Sequence, residues 1–231
     1  MNDIRTFYGL RILTGINTHP GSGTIEDHSA EISMFSEILN HVDNDNPVMI
    51  EIGCYWAIWS LLFKQKYRNG KNILIDLGKR QLAIGEENFR LNDYDFLSYH
   101  GGFFLNESMT FHNRKYDIEY SDDENVELIK LLPKINMGGY VGRELDFNEI
   151  ITNEAITRID LLHMDIQGSE LQLINNINVN TIHNLVIATH SATIHESITN
   201  ILINKDFDII TNHDYGSIGG DGFLHAKNKN W

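Results

Sequence analysis

Short apolar runs alternate along this chain with segments spaced like helices. The clearest unit lies between Pro47 and Asp76. Val48-Met49-Ile50-Glu51-Ile52 is an apolar run ending in Gly53, and Cys54 to Tyr67 reads as a helix. After an Asn69-Gly70 break, a second apolar run, Ile73-Leu74-Ile75, ends in Asp76. The spacing predicts strand, turn, helix and strand. Upstream, residues 1–28 show weak periodicity and contain the loop signature His19-Pro20-Gly21-Ser22-Gly23, which predicts an arm, a lid or a loosely packed terminus. Ser29 to Val42 places Ile32, Phe35, Ile38 and Leu39 on one helical face, with Ser29 as N-cap, and Asp43 to Pro47 stops it.

Downstream, Arg80 to Asn92 reads as a second helix and Phe96 to Phe104 as a third strand, interrupted by His100-Gly101-Gly102. Residues 105–157 are the least periodic, with a short helix over Val126–Leu132, a turn at Met137-Gly138-Gly139-Tyr140 and a helix over Phe147–Asn153. Ile159 to Asp165 has the pattern of a buried strand and leads through Gly168 into a helix with Leu171, Leu173 and Ile174. Leu185 to Thr189 is a central strand ending at His190, and Ile194 to Ile203 is helical. Phe207 to Ile210 is a strand ending near His213-Asp214, and Gly216 to Gly222 turns into a last strand, Phe223 to Ala226.

Alternating strands and helices predict an α/β fold: a three-layer, Rossmann-like sandwich on a seven-stranded, mostly parallel sheet whose last strand is antiparallel. Ligands of such sheets sit at the carboxyl ends of the strands. The residues predicted there are Glu51, Asp76, His100, Asp165, His190 and His213, each an acid or a histidine. Glycine at the first turn and an acid at the tip of the second strand point to an adenosine-containing cofactor. Gly53 is followed by Cys54-Tyr55-Trp56-Ala57, so a diphosphate finds no glycine-rich cradle, whereas S-adenosylmethionine carries no phosphate and needs none.

Composition narrows the class. A chain of 231 residues, 42% hydrophobic, is long enough for one full α/β core. Its formal net charge of −14, with no basic run, argues against a nucleic-acid partner. A single cysteine, Cys54, excludes an intramolecular disulfide and a cysteine zinc cluster. With no long apolar span and no charged-then-apolar leader, the expectation is a cytoplasmic protein without a membrane segment.

The chain resembles the FkbM family of S-adenosylmethionine-dependent methyltransferases. The resemblance is carried by Ile50 to Leu61, by Gly85-Glu86-Glu87-Asn88-Phe89-Arg90-Leu91-Asn92, and by Ile159 to Glu170. Thr189-His190-Ser191, His195 and Asp221-Gly222 are similar to one branch of that family, and the match runs from about Pro47 to Asn228. Ala57 stands where many methyltransferases have glycine, and Asp76-Leu77-Gly78 replaces the commoner Glu-Pro-Asp. The resemblance implies a methyltransferase domain over 47–231, an N-terminal arm and helix over 1–46, and a substrate-shaping insertion over 105–157. It also implies a small-molecule hydroxyl acceptor, a sugar or glycoside.

Cofactor contacts are expected from Glu51, Gly53, Tyr55, Trp56, Ser60, Asp76, Leu77 and Gly101. For Gly53 the plain alternative is an ordinary turn, for Glu51 a helix cap, for Asp76 a solvated strand-end acid, and for Tyr55 and Trp56 core packing. Asp165 and His190 are the catalytic candidates: a histidine titrating near neutrality would take the acceptor's proton, and Asp165 would orient it or hold the cofactor's amino group. His163 reads as a buried structural histidine, and Glu170 as a helix cap in preference to a residue reaching the site. A divalent ion on Asp165, His190 and His213-Asp214 is an unfavoured alternative with no compact ligand motif behind it. Two rival functions remain: a nicotinamide-dependent oxidoreductase, and a non-catalytic binding subunit.

Overall fold

A computed structural model describes residues 3–14, 29–103, 143–218 and 220–231. The predicted short helix over 126–132 and the turn at 137–140 lie outside these residues, as does most of the predicted insertion.

The core is one sheet. In chain order its strands are β3 (Val48–Ile52), β4 (Lys71–Asp76), β5 (Leu97–Gly102), β6 (Arg143–Glu144), β7 (Ile159–Met164), β8 (Ile182–Thr189), β9 (Phe207–Ile218) and β10 (Asp221–Asn228). They lie side by side as β6-β5-β4-β3-β7-β8-β10-β9. Two-residue β6 adds an edge to the seven strands expected. The pairings from β6 to β8 are parallel, and β10 enters antiparallel between β8 and β9. The central strands are apolar on both sides because helices cover both faces. Met49, Leu74, Leu161 and Val186 pack under α1 (Ser29–Ile38), α2 (Ile58–Lys66) and α3 (Lys79–Leu91). Ile50, Ile73, Leu162 and Leu185 pack under α4 (Phe147–Asn153), α5 (Glu170–Asn176) and α6 (Ala192–Asn204).

Strand order reverses at β3, which pairs with β4 on one side and β7 on the other. That switch point opens a crevice at the carboxyl ends of β3 and β7. The Asp165 N–H continues the ladder by donating to Ile52 O at 2.9 Å, which draws the two strand ends together.

Two local expectations are corrected. The N-terminal segment is ordered as a hairpin, β1 (Asp3–Phe7) and β2 (Leu10–Thr14), joined at Tyr8 and Gly9, both at positive φ. This is the primed-turn geometry that matches strand twist. Its apolar positions Leu10 and Ile12 are fully buried. The helix expected from Cys54 begins only at Ile58, because Gly53 to Ala57 form a loop with Tyr55 (φ 43°) and Ala57 (φ 57°) left-handed. Further on, β9 runs past His213 to Ile218 and takes up part of the glycine-rich stretch.

Candidate active site

The floor of the crevice is built from close backbone approaches. A Cβ at Gly53 would sit 1.8 Å from the Asp165 carbonyl oxygen, and Gly53 has φ +79°. The glycine is therefore required by the chain's own backbone, whatever binds above it. A Cβ on Gly85 would lie 2.9 Å from Tyr55 O and 3.1 Å from Ala57 Cβ, so α3 can lie against the loop only where a side chain is missing.

Asp76 holds this loop from beneath. Its Oδ2 accepts from the Tyr55 N–H at 3.0 Å and its Oδ1 from the Gly78 N–H at 2.8 Å. Burial pushes its carboxyl up to about 6, against the two backbone hydrogen bonds. Leu77 is half-buried beside it, with its carbonyl 3.2 Å from His100 Nε2. Gly101 is buried in the β5–β6 pairing opposite Arg143. Tyr55 and Trp56 stack on each other, ring centres 4.1 Å apart.

Glu51 and Ser60 lie below the surface of the crevice. Both are fully buried, and the Ser60 N–H donates to Glu51 Oε2 at 2.9 Å, so Glu51 ties down the first turn of α2. Its other oxygen lies 4.0 Å from His163 Nδ1, and neither atom has a hydrogen-bond partner among the described residues. Burial pushes Glu51 up to about 8 and His163 down to about 4, so both are neutral at pH 7. His163 also lies beside Trp59 and Phe35, in the buried position expected of it.

The other side of the crevice is organised around His190. Its Nδ1 is 2.7 Å from Glu170 Oε1, and its Nε2 is 3.2 Å from Asp165 Oδ1 and 3.8 Å from Asp221 Oδ2. Glu170 is fully buried and also accepts from the N–H groups of Ile166 and Gly168. It thus closes the turn ahead of α5, as a cap would, and holds the imidazole as well. Asp165 and Asp221 keep 39% and 45% of their side chains exposed, so the cluster opens to solvent on that side.

Burial of His190 opposes its charged form, but hydrogen bonds to Asp165 and Glu170, and their charges, raise it to about 10. Burial raises Asp165, but the hydrogen bond and charge of His190, the charge of His163 and the Gln167 hydrogen bond together outweigh it and leave the carboxyl lowered. These two shifts favour imidazolium beside carboxylate near neutral pH, whereas the expectation from sequence is a histidine base titrating near neutrality. Gln167, left-handed at φ 54°, places its amide nitrogen 3.1 Å from Asp165 Oδ1 and 2.8 Å from His190 Nε2. A 2.8 Å contact between two nitrogens needs a lone pair on one of them, so with His190 protonated the amide has to turn its oxygen to Nε2, and with the ring neutral Nε2 accepts from the amide.

His195 lies deeper, buried between Thr189 Oγ1 (2.8 Å) and Asn212 Oδ1 (2.6 Å). His213 falls within β9 opposite Phe223 and not at a strand end. Among the described residues, no cluster of three or more histidine, cysteine or carboxylate side chains has the arrangement to hold a metal ion. No described helix is long and apolar enough to cross a membrane.

The family description "Methyltransferase FkbM domain" matches residues 44–211, more than half of the chain. The chain belongs to the FkbM family of S-adenosylmethionine-dependent methyltransferases. The strand order β5-β4-β3-β7-β8-β10-β9, whose last two elements extend past the matched residues, is the class I methyltransferase sheet, and the methyltransferase assignment displaces the nicotinamide alternative. No curated protein matches the chain. Solved structures similar in fold include an O-methyltransferase from Bacillus cereus in complex with S-adenosylhomocysteine, at TM-score 0.56 and 13% identity, covering 92% of this chain and 85% of that one. The TrmK of M. capricolum in complex with S-adenosylhomocysteine has TM-score 0.54 and 13% identity, over 87% and 69% of the two chains. The Pyrococcus abyssi tRNA (uracil-54, C5)-methyltransferase, also in complex with S-adenosylhomocysteine, has TM-score 0.54 and 11% identity, with 98% of this chain covered but only 44% of that one.

Sequence reasoning placed Asp165 and His190 together correctly but missed three residues of the cluster. Gln167 and Asp221 carried no helix-or-strand signal of their own, and for Glu170 the cap was favoured over reaching the site. The one clue was that all of them lie in the segments resembling the family.

Proposed function

We propose that the protein transfers the methyl group of S-adenosylmethionine to a hydroxyl oxygen of a small neutral acceptor, a sugar or glycoside, at the rim between Asp76 and Asp165. The observation that carries this reading is the cluster of Asp165, Glu170 and Asp221 around His190, open to solvent beside the switch point. The crevice fits the cofactor by its donor set: carboxylates suit a ribose diol, an ammonium and a sulfonium, and the Gly53–Ala57 loop has no cradle for a diphosphate. Asp76 is the ribose acceptor in this reading, with Gly53, Tyr55, Trp56, Leu77 and Gly101 around the nucleoside. Glu51 and Ser60 act indirectly, by fixing α2 beneath the loop. When bound, the cofactor supplies an electrophilic methyl on sulfur.

Asp165 accepts the acceptor's hydroxyl proton as the oxygen attacks, and the imidazolium of His190 keeps the carboxylate oriented and ionised until then. Glu170 is a positioning residue, since it acts through His190. A phosphorylated acceptor would meet carboxylates at this rim, and the net charge of −14 opposes a nucleic-acid backbone.

The test is transfer of labelled methyl from S-adenosylmethionine to a panel of sugars and glycosides, with bulk tRNA as the opposing arm. Label in a sugar ether, lost in Asp165→Asn, supports the reading. Label in tRNA alone contradicts the acceptor assignment. Label in a sugar with full rate in Asp165→Asn contradicts the role of Asp165.

A further inference from the structure

Asn88 is fully buried on α3 and bridges two otherwise separate parts of the chain. Its Oδ1 accepts from the Leu13 N–H of the N-terminal hairpin at 2.9 Å, and its Nδ2 donates to Trp56 O of the loop after β3 at 3.0 Å. The chemistry fixes which way the amide faces: a backbone N–H needs the oxygen and a carbonyl needs the nitrogen. One helical turn on, Asn92 repeats the device on the same strand. Its Oδ1 accepts from the Arg11 N–H at 2.9 Å, and its Nδ2 donates to Arg11 O at 2.7 Å. Two asparagines four residues apart thus dock β2 on α3 as a neighbouring strand would, through side-chain amides. Leu13 packs with Ala83 and Ile84 of α3, and Tyr55 and Trp56 pack against the same cluster.

The loop that Asn88 reaches is held in an unusual shape. Left-handed backbone at Tyr55 and Ala57 is sparsely populated for residues with side chains, and it persists only where the surroundings over-determine it. Asp76 fixes the loop at Tyr55 N and Asn88 fixes it at Trp56 O. If the hairpin undocks, Asn88 Oδ1 loses its donor, and the amide is free to turn away from Trp56.

We propose that the hairpin is coupled to cofactor binding through Asn88, a positioning residue, so that docking of β2 strengthens the binding of S-adenosylmethionine and its product, and their binding strengthens docking. The inference rests on the methyltransferase reading. Linkage requires the coupling to be reciprocal, and that makes it measurable from either end.

The experiment combines calorimetric titration of S-adenosylhomocysteine with amide hydrogen exchange at Leu13, on the full chain. In the wild type the ligand should slow exchange at Leu13 severalfold. Asn88→Asp keeps an acceptor for Leu13 but loses the donor to Trp56 O, and should weaken ligand binding on the order of tenfold. Asn92→Ala touches neither the loop nor the crevice and should weaken binding in the same direction by loosening β2. Thermal stability is recorded for each variant. A lower Tm in Asn92→Ala with an unchanged dissociation constant is the result of a purely structural hairpin and overturns the proposal. So does ligand binding that leaves Leu13 exchange unaltered. No binding by the wild type would overturn the methyltransferase reading, and the coupling would fall with it.

Discussion

Glu170 Oε1 lies 2.7 Å from His190 Nδ1, between two elements that meet only because β7 and β8 are neighbours in the sheet. The contact favours the protonated form of a rim histidine. A buried carboxylate on one ring nitrogen and a half-exposed one on the other leave His190 little freedom to lose its proton near neutral pH.

Glu170→Gln removes one of the two charges that raise His190. The ring's titration should move down from about 10, while an amide oxygen remains to accept from Ile166 and Gly168. Imidazole carbon chemical shifts followed against pH would show it. An unchanged titration midpoint would mean that Glu170 is not the ring's electrostatic partner.

Methyl transfer should stay active well above pH 7 and fall only as His190 loses its proton, near pH 10. A histidine acting as a neutral base would instead give an acid limb near pH 6.5. The stability contribution has the same sign. The folded His190 is raised, so its contribution is complete below about pH 6.5 and is lost as pH climbs toward 10. A pH profile of kcat beside the His190 imidazole titration separates the two cases: an acid limb that follows the imidazole, and not Asp76 near 6, would make His190 the base and Asp165 its orienting partner.

Gly53→Ala should be severe. The added methyl meets the Asp165 carbonyl at 1.8 Å, on a backbone at φ +79°. Urea unfolding should show a loss of roughly 4 kcal/mol or more, at the exceptional end for a single substitution. A loss of under about 1 kcal/mol would show that β3 and β7 approach less closely at this point.

His163→Phe tests the neutral pair beneath the loop. Burial lowers His163 to about 4, so its contribution to stability is present above about pH 6.5 and lost as pH falls toward 4. Phenylalanine keeps the ring beside Trp59 and Phe35 and has nothing to protonate. Between pH 7 and pH 5 the variant should lose less Tm than the wild type. Parallel losses would assign acid sensitivity to other groups.

The central strands were legible because an apolar run buried on both faces has few other interpretations. β3, β4, β7 and β8 all appear near their predicted positions. The hairpin was not legible, since Tyr8-Gly9 is a weak turn signal beside asparagine-glycine, and its strands are docked by Asn88 and Asn92 far along the chain. Nor was the loop at Cys54 to Ala57, whose composition suits a helix. Asp76, Asn88 and the missing side chain of Gly85 override that local preference. At the site, strand ends could be ranked from sequence, but the charge on His190 depends on two carboxylates that only the strand order brings to it. Glu51 was read as a strand-end residue from its position in the motif, and alternation along β3 puts it on the same face as Met49, where it accepts from the Ser60 N–H.

The most direct measurement is a titration of the isotopically labelled protein with S-adenosylhomocysteine, followed by backbone amide resonances. A cofactor site at the β3–β7 switch point predicts the largest changes at Tyr55, Trp56 and Gly78, with a further change at Asp165, and little at Asn44, Lys71 or Arg158 at the opposite end of the sheet. Changes centred on those last residues, or none at Tyr55 and Gly78, would contradict a cofactor site there.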